Sequence, residues 1–234
     1  MPAPLYLQIR EILIARMATG TFRPGLPLPS EFALAAELNV SQGTVRKALD
    51  TLAADNLVIR RQGLGTFMPE ATAERALFQY FRMTGADGES LIPVPISEDI
   101  STHPAPAHLA SRLNVAENAP LIRIRRIRAL RHAPATLEDI WIDPQILPMP
   151  ANGAPLPNAL YTHYQRAHNI SIARAEDFVS ATAAPAHVAQ AISIPQDAPV
   201  LLVRRDAYDL TGRLVETRES YFHTDGIGYS VTLR

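Results

Sequence analysis

The sequence has no cysteine among its 234 residues. This absence excludes a disulfide framework, a thiolate zinc site and a cysteine nucleophile. The sequence also has a single lysine, Lys47, so a pyridoxal-phosphate domain has no Schiff-base lysine of its own. No uninterrupted apolar stretch approaches the roughly 18 residues of a membrane span. Because the N-terminal residues also lack the basic-then-apolar order of a secretory signal, we expect a soluble, cytoplasmic protein.

Neither sign of charge predominates, since 22 Lys and Arg face 23 Asp and Glu for a net charge of −1. Any affinity for nucleic acid must therefore come from a local arrangement of charge. Apolar residues make up 47% of the chain and charged residues 19%, which excludes disorder throughout. The 20 prolines divide the chain into short elements, and its length allows one large or two modest domains.

The N-terminal part predicts three helices followed by a hairpin. Apolar side chains recur at helical spacing from Pro4, and Ser30 and Ser41 are each placed to cap a further helix. Two short β-runs with a Gly-containing turn between them follow at 57–68. Three helices and a hairpin in this order predict a winged helix-turn-helix, to which we assign residues 1–69.

The outward face of the third helix is the first candidate site. Its apolar residues form a buried stripe, which leaves polar and basic side chains facing outward near the N-terminus. Such a helix end can enter a major groove and contact bases and phosphates. The candidate DNA-binding residues are Ser41, Gln42, Gly43, Thr44, Arg46 and Lys47 on this helix, with Arg61 and Gly63 on the hairpin. The alternative interpretation is a solvated helix face in a protein–protein module.

Four segments lie within residues 4–68: PLYLQIREIL, PLPSEFALAAEL, VSQGTVRKALDTLAADNLV and RRQGLGTF. Together they resemble the DNA-binding domain of GntR-type bacterial transcription regulators, and the resemblance covers essentially all of residues 4–68. That family usually carries an arginine after its Ser-Glu pair and another after the cap of the recognition helix. Here those positions hold Phe32 and Gln42. A glutamine can pair with adenine where an arginine would contact guanine.

From about residue 78, after a linker at 70–77, the pattern changes to β-runs separated by proline-containing loops and short helices. The tetrapeptide APAH at 105–108 recurs at 184–187, and an Ala-Pro pair and an Arg-Arg pair follow both copies at matching offsets. Each copy predicts a short helix, a turn, a strand, a hairpin turn and a strand. We therefore expect two related halves that face each other.

Charged residues continue two apolar strand faces in this second domain. Alternation along the strand that begins at Leu121 places Arg126 and Arg128 on one face with two isoleucines. Glu138 extends an apolar row on the return strand in the same way. Charges in such positions are costly unless they are paired or used. An internal ion pair and a ligand pocket are the two interpretations, and we prefer the pocket.

Four further segments span much of residues 78–234: APAHLASRLNVAENAPLIRIRRIRA, TLEDIWID, ALYTHYQRAHNI and RRDAYDLTGRLVETRESYFH. They are similar to the UTRA ligand-sensing domain of the HutC subfamily. The resemblance implies an α+β fold, in which a chorismate-lyase-like antiparallel sheet with flanking helices follows the winged helix-turn-helix. It also implies a homodimer formed through this domain and an effector bound between its halves. The implied effector-binding residues are Arg126, Arg128, Glu138, Asn158, Tyr161, Glu216 and Tyr221.

These patterns predict a transcription regulator, a homodimer that binds an inverted-repeat operator with an affinity set by a small anionic metabolite. Repression relieved by the effector is usual in the resembled family. We expect no cofactor, no metal ion and no enzymatic activity. One alternative is a lyase-like enzyme, because Arg126, Arg128 and Glu138 could bind an anionic substrate. The other is a ligand-independent dimeric DNA-binding protein, in which Arg126 and Glu138 only pair with each other.

Overall fold

The computed structural model describes residues 3–72, 81–148 and 154–232. An α-helical N-terminal part with a small hairpin is followed by a part built on a six-stranded antiparallel sheet. The expected linker at 70–77 and the expected start of the second domain at 78 lie partly outside the described residues. No helix in those described ranges is long and apolar enough to cross a bilayer.

The N-terminal part has the predicted order of three helices and a hairpin. Its elements are α1 (Leu5–Ala18), α2 (Glu31–Leu38), α3 (Gln42–Ala54), β1 (Ile59–Arg61) and β2 (Gly65–Phe67). The Ser30 hydroxyl accepts a hydrogen bond from the Ala33 amide at 3.1 Å, and the Ser41 hydroxyl accepts one from the Thr44 amide at 3.2 Å. Both serines thus satisfy an amide of the first helical turn, as their positions predicted.

The core of this part lies where α1, α2 and α3 meet. Fully buried side chains come from every helix, among them Leu13, Met17, Leu34, Val45 and Leu49. Each buried leucine or methionine contributes about 1.5–3 kcal/mol relative to an exposed one. The packing therefore fixes which side of α3 faces outward.

The second part contains eight strands and three short helices within its described residues. They are β3 (Met83–Gly85), β4 (Val94–Pro104), α4 (Ala107–Leu113), β5 (Pro120–Leu130), β6 (Ala133–Ile142), α5 (Leu160–His168), β7 (Ile172–Ala183), α6 (Ala186–Ile192), β8 (Pro199–Asp209), β9 (Leu214–His223) and β10 (Ile227–Tyr229). The large sheet has the order β4-β5-β6-β9-β8-β7, and β3 pairs with β10 separately. All of these pairs are antiparallel.

The sequence repeat corresponds to the two halves of the large sheet. One half runs β4-α4-β5-β6 and the other runs β7-α6-β8-β9, and the halves meet where β6 pairs with β9. In the register, Glu98 lies opposite Arg126 in the first half, and Asp177 lies opposite Arg205 in the second. The repeat therefore extends to the acid–arginine pair between each edge strand and its neighbour.

The two faces of the sheet are covered by different elements. Helices α4 and α6 pack on one face, where Leu109 meets Leu121 and Val188 meets Leu137. Helix α5 packs on the other face, with Tyr164 among the buried isoleucines of β5 and β6. Because paired residues of neighbouring strands share a face, Arg126, Arg128 and Glu138 lie on the α5 face.

The N-terminal part also contacts the second part. Leu210, in the turn between β8 and β9, packs against the helical core. The Asn169 side-chain amide, at the end of α5, donates to the Ala18 carbonyl at 3.1 Å. These contacts join the helical N-terminal part to the part that is built on the large sheet.

Candidate DNA interface and effector site

The first turn of α3 forms the centre of the candidate DNA interface. Gln42 and Gly43 are exposed on it, and Arg46 and Lys47 are exposed on the turn that follows. The Ser41 and Thr44 hydroxyls lie 2.9 Å apart. Arg46 has 58% of its side chain exposed. Free amides at a helix N-terminus and an exposed guanidinium together suit the phosphates and base edges of a major groove.

Glu31 joins α3 to the wing, and the sequence analysis did not identify it as a site residue. Its carboxylate accepts from the Arg46 Nε at 2.9 Å and from the Arg60 Nη1 at 3.0 Å. The Gln42 side-chain amide approaches it at 3.4 Å. Burial raises the pKa of Glu31, but the two guanidiniums outweigh that effect and lower it. The sequence offered one signal for Glu31, its position in the first turn of α2, three residues before the buried Leu34.

The hairpin between β1 and β2 places its basic side chains beside aromatic or acidic neighbours. The Arg61 guanidinium lies 4.7 Å from the centre of the Phe67 ring, and Arg60 also pairs with Asp50 at 2.7 Å. Gly63 and Gly65 have positive φ angles of 73° and 109° at the exposed tip. This geometry suits a wing that follows a phosphate backbone, with Arg61 projecting from its base.

Phe32 is the most exposed large apolar side chain of the N-terminal part, at 75%. It lies in the first turn of α2, next to Glu31. Lys47, by contrast, has its ammonium 4.2 Å from the centre of the Tyr6 ring on α1. The candidate interface therefore carries an exposed ring at the position where the resembled family has an arginine.

The candidate effector site lies on the α5 face of the sheet, and its charges are buried. Arg126, Arg128, Glu138 and Glu216 each have at most 1% of their surface exposed. The register brings Arg126 opposite Glu138 on neighbouring strands. Six of the seven residues expected at this site lie on or against this face, and Tyr221 is the exception.

The buried arginines form ion pairs, but not the pair considered from the sequence. Arg128 Nη1 lies 3.1 Å from Glu138 Oε2, and Arg126 Nε lies 2.6 Å from Glu98 Oε2 on β4. Glu98 was missed, although alternation on β4 and the repeat with Asp177 could have identified it. The ion-pair interpretation and the pocket interpretation are therefore not exclusive, because each arginine has more donors than its carboxylate uses.

Two of those donors have no hydrogen-bond partner within residues 3–72, 81–148 and 154–232. They are Arg126 Nη1 and Arg128 Nε, both buried. A buried guanidinium donor without a partner is unfavourable, by about 1–3 kcal/mol or more for a charged group. The Phe81 ring covers the Arg128 guanidinium at 4.2 Å. The face therefore holds unused donors for an oxygen-rich group.

The segment before α5 is bound by the same two arginines. Arg126 Nη2 donates to the carbonyls of Leu156 and Pro157, each at 3.2 Å. Arg128 Nη2 donates to the Asn158 side-chain oxygen, and the Asn158 amide donates to the Pro93 carbonyl at 3.0 Å. Asn158 is therefore a direct neighbour of the buried charges.

A second group of buried charges surrounds Glu216. Its carboxylate accepts from the Tyr161 hydroxyl at 3.1 Å, from the Tyr164 hydroxyl at 2.7 Å and from Arg218 Nη2 at 2.8 Å. Burial and the charge of Glu216 raise the pKa of Tyr164 well above its usual value, so the hydroxyl keeps its proton. Tyr164 and Arg218 were not identified from the sequence, although alternation along β9 places Arg218 on the same face as Glu216.

Tyr221 does not belong to this cluster, which corrects the expectation from the resemblance. It pairs with Leu137 and packs on the α6 side of the sheet, with its ring 6.3 Å from that of His187. Glu216 and Tyr221 are an odd number of residues apart on β9, so alternation sends their side chains to opposite faces. That parity was readable from the sequence.

The charges around Glu138 keep it ionised. Burial raises the pKa of Glu138, but the positive charges of Arg128, Arg218 and Arg126 outweigh burial and lower it. Burial lowers the pKa of Arg128, and Glu138 opposes that effect. Beside this pair lies a cavity of about 20 Å³, lined by Glu138, Arg218 and Tyr229 among others. A space of that size holds about one water molecule.

Comparison with known proteins adds two family matches. The model for bacterial regulatory proteins of the gntR family matches residues 5–68, and the UTRA domain model matches residues 97–227. The second match alone covers more than half of the chain. It includes both groups of buried charges described above.

Relatives of known name match over nearly the whole chain. The HTH-type transcriptional repressor NagR of Bacillus subtilis is 31% identical over 226 residues, which is 96% of this chain and 92% of the relative. The mannosyl-D-glycerate transport/metabolism system repressor MngR of Escherichia coli is 28% identical, over 98% of this chain and 95% of its own. The histidine utilization repressor of Pseudomonas aeruginosa is 26% identical, over 95% and 88%.

Solved structures have the same fold. PhnF from Mycobacterium smegmatis matches with a TM-score of 0.55 at 25% identity, over 96% of this chain and 98% of that one. The ligand-binding domain of a GntR-family regulator from Bordetella bronchiseptica matches with a TM-score of 0.57 at 22% identity. That match covers 66% of this chain and 98% of the other.

Proposed function

Given that the chain belongs to the GntR family of bacterial regulatory proteins and carries a UTRA domain, we propose that it is a cytoplasmic, homodimeric repressor whose effector is a small anionic metabolite. Family membership makes the chain a DNA-binding transcription regulator that responds to a small molecule. The proposal adds the dimer, the sign of the response, the charge of the effector and the residues that bind DNA and effector.

The observation that carries the effector assignment is a pair of donors, Arg126 Nη1 and Arg128 Nε, that have no hydrogen-bond partner among the described residues. Both side chains are buried on the face that α5 covers. A carboxylate or phosphate oxygen would satisfy these donors with charge-assisted hydrogen bonds of about 1.5–3 kcal/mol each. The names of two relatives point to mannosyl-D-glycerate and histidine metabolism, and both compounds carry a carboxylate.

The arginines of the candidate effector site are enclosed by two segments of the chain. The Phe81 ring covers the Arg128 guanidinium, and the Leu156 and Pro157 carbonyls accept from Arg126. We therefore propose that the segments at 81–93 and 154–158 move when the effector enters. A ligand shifts an equilibrium only through its different affinity for two states. Closed and open arrangements of these segments are the two states that we propose.

On DNA, the proposed contacts are made by Gln42, Thr44, Arg46 and Arg61. One α3 reads too few bases for specificity, whereas a two-fold dimer matches two half-sites of an inverted repeat. Ser41 and Gly43 allow the first turn of α3 to lie close to the DNA backbone. Lys47 and Gly63 extend the interface. The effector residues are Arg126, Arg128, Glu138, Asn158, Tyr161 and Glu216.

A thermal-shift screen of the full chain tests the effector assignment. The panel contains inorganic phosphate, phosphorylated sugars and small carboxylates, each assayed with wild type, Arg126→Gln and Arg125→Gln. Arg125 is the matched control, because it neighbours Arg126 but pairs with Asp139 at 2.9 Å on the opposite face. An anion at about 100 times its Kd stabilises the protein by about 2.7 kcal/mol.

We expect at least one anion of the panel to raise the Tm of wild type and of Arg125→Gln, but not that of Arg126→Gln. The same anion should lower affinity for the operator. Equal shifts in both variants, or no shift with any anion, would contradict the assignment. Consumption of the anion in the same incubation would support the lyase-like enzyme instead.

A further inference from the structure

The helix α5 touches both the candidate effector site and the DNA-binding part. Its N-terminal end follows the segment that Arg126 and Arg128 bind, and its Tyr161 and Tyr164 hydroxyls donate to Glu216. Its C-terminal end contacts the chain that leads out of the winged helix-turn-helix. Because the helix has 9 residues and a rise of about 1.5 Å each, its two ends are about 13 Å apart.

Gln165 makes the contact at the second end. Its side-chain oxygen accepts from the Ala71 amide at 2.7 Å, and its side-chain nitrogen donates to the Pro69 carbonyl at 3.3 Å. The same nitrogen donates to the Ser171 hydroxyl at 2.9 Å. Gln165 is buried, so both polar ends of one amide are used to hold two backbone groups that follow β2.

Tyr161 and Gln165 are four residues apart and therefore share one face of α5. Both line a cavity of about 160 Å³ between the two parts, together with Asn56, Leu57 and Met68 from the DNA-binding side. A cavity of that size leaves room for the two parts to shift against each other. Interfaces between packed parts switch between discrete arrangements, and here the cavity lies beside the residue that joins the two sides.

We propose that Gln165 is the positioning residue that passes the state of the effector site to the DNA-binding part. This inference rests on the proposed function and names the element that carries its regulation. When the segment before α5 opens, or the Tyr164 hydroxyl leaves Glu216, α5 shifts along its axis. Gln165 then moves the backbone at 69–71, which is two residues after the end of the wing strand β2.

The test needs no effector, since a substitution in the buried site takes its place. Tyr164→Phe removes the hydroxyl that binds Glu216, and it is made in wild type, in Gln165→Ala and in Arg166→Ala. Arg166 is the matched control, because it neighbours Gln165 and pairs with Glu70 of the same segment at 3.1 Å through an exposed side chain. The Kd is measured for the duplex that the wild-type protein selects from a random pool.

We expect Tyr164→Phe to change the Kd by about fivefold or more in wild type and in Arg166→Ala. In Gln165→Ala it should change the Kd by less than about twofold. Amide exchange at Ala71 should report the same pattern, being altered by Tyr164→Phe only while Gln165 is present. A role for Gln165 that is only structural would lower the Tm but leave the factor from Tyr164→Phe unchanged.

An equal factor in all three backgrounds, or no effect of Tyr164→Phe in wild type, would overturn the inference. If Tyr164→Phe does not fold, Tyr161→Phe replaces it, because that hydroxyl donates to the other oxygen of Glu216. The outcome is independent of the thermal-shift screen. If no anion of the panel binds, the proposed effector is wrong, but the effect of Tyr164→Phe on the Kd can still be measured. If Gln165 proves not to couple the two parts, the anion screen still tests the effector.

Discussion

The two candidate sites use arginine in opposite environments. At the DNA interface Arg46 and Arg60 share one carboxylate, Glu31, and keep 58% and 37% of their side chains exposed. On the α5 face Arg126 and Arg128 are at most 1% exposed and hold Glu98 and Glu138. Exposed ion pairs contribute about 0–1 kcal/mol, whereas breaking a buried pair costs about 3–5 kcal/mol. A change of charge therefore costs little stability at the exposed site and much more at the buried site.

The largest expected effect concerns Arg128→Ala. It removes the arginine that hydrogen-bonds Glu138, a carboxylate that is 1% exposed. Glu138 then keeps only the longer contact with Arg218 at 3.7 Å, so the free energy of unfolding should fall by about 3–5 kcal/mol. Urea unfolding at pH 7 measures this loss. The comparison variant is Arg46→Ala, which should stay within about 0.5 kcal/mol of wild type. Similar losses in both variants would break the distinction between the sites.

Acid sharpens the same comparison, because the pKa of Glu138 is lowered in the folded chain. A carboxyl whose pKa is lowered by folding stabilises the protein at pH values above its ordinary, unfolded pKa. That stabilisation is lost as the pH falls through the lowered pKa of the folded state. Wild type should therefore lose stability below about pH 4.3. The net loss of stability in acid should be smaller than the loss caused by Arg128→Ala. Burial raises the pKa of Asp139, so protonation of Asp139 changes the stability in the opposite direction.

Glu138→Gln measures that acid effect. This variant should be less stable than wild type at neutral pH, and its stability should fall less steeply below about pH 4.3. Chemical unfolding at several pH values compares the two proteins. Parallel pH profiles would mean that Glu138 does not account for the acid-dependent stability.

At the DNA interface, Arg46→Ala should reduce affinity for the selected duplex by about 1.5–3 kcal/mol. If the guanidinium contacts phosphate, the slope of log K against log salt should fall by about 1. Fluorescence anisotropy at several salt concentrations provides both values. The control is Arg16→Ala on α1. Arg16 also pairs with a carboxylate at the surface, Glu37 of α2, but it is not one of the candidate DNA-binding residues. Equal losses in the two variants would remove Arg46 from the interface.

The smallest expected effect separates helix capping from DNA contact. Ser41→Ala and Ser30→Ala each remove a hydroxyl that accepts from the first turn of a helix, at a cost of about 1 kcal/mol in stability. Only Ser41 caps the helix that carries Gln42 and Arg46. Thermal melts should therefore give similar losses for both variants, and anisotropy should give weaker DNA binding for Ser41→Ala. Equal DNA affinities would confine Ser41 to capping.

Local patterns were predictable from the sequence because their causes lie within a few residues. The caps Ser30 and Ser41 follow from hydrogen bonds inside one helical turn. Burial of Arg126 and Arg128 follows from two-residue alternation with isoleucines. The same alternation along β9 separates Tyr221 from Glu216, whereas the resemblance alone placed them in one site.

Ion-pair partners were less predictable, because they depend on the register between strands. Arg126 and Glu138 lie opposite each other across β5 and β6, yet Arg126 binds Glu98 and Arg128 binds Glu138. A long guanidinium can reach several neighbours, so only the packed arrangement selects among the carboxylates. Glu31 was missed because its partners, Arg46 and Arg60, are 15 and 29 residues away along the chain.

The sequence by itself determined the family, the order of elements, the helix caps and the faces on which the buried arginines lie. These features need only local hydrogen bonds, periodic burial and family motifs. The tertiary structure alone decided which carboxylate holds each arginine, that Tyr221 lies on the far face, and that Gln165 contacts Pro69 and Ala71. Those features join residues far apart in the chain, and only strand register and packing bring such residues within hydrogen-bond distance.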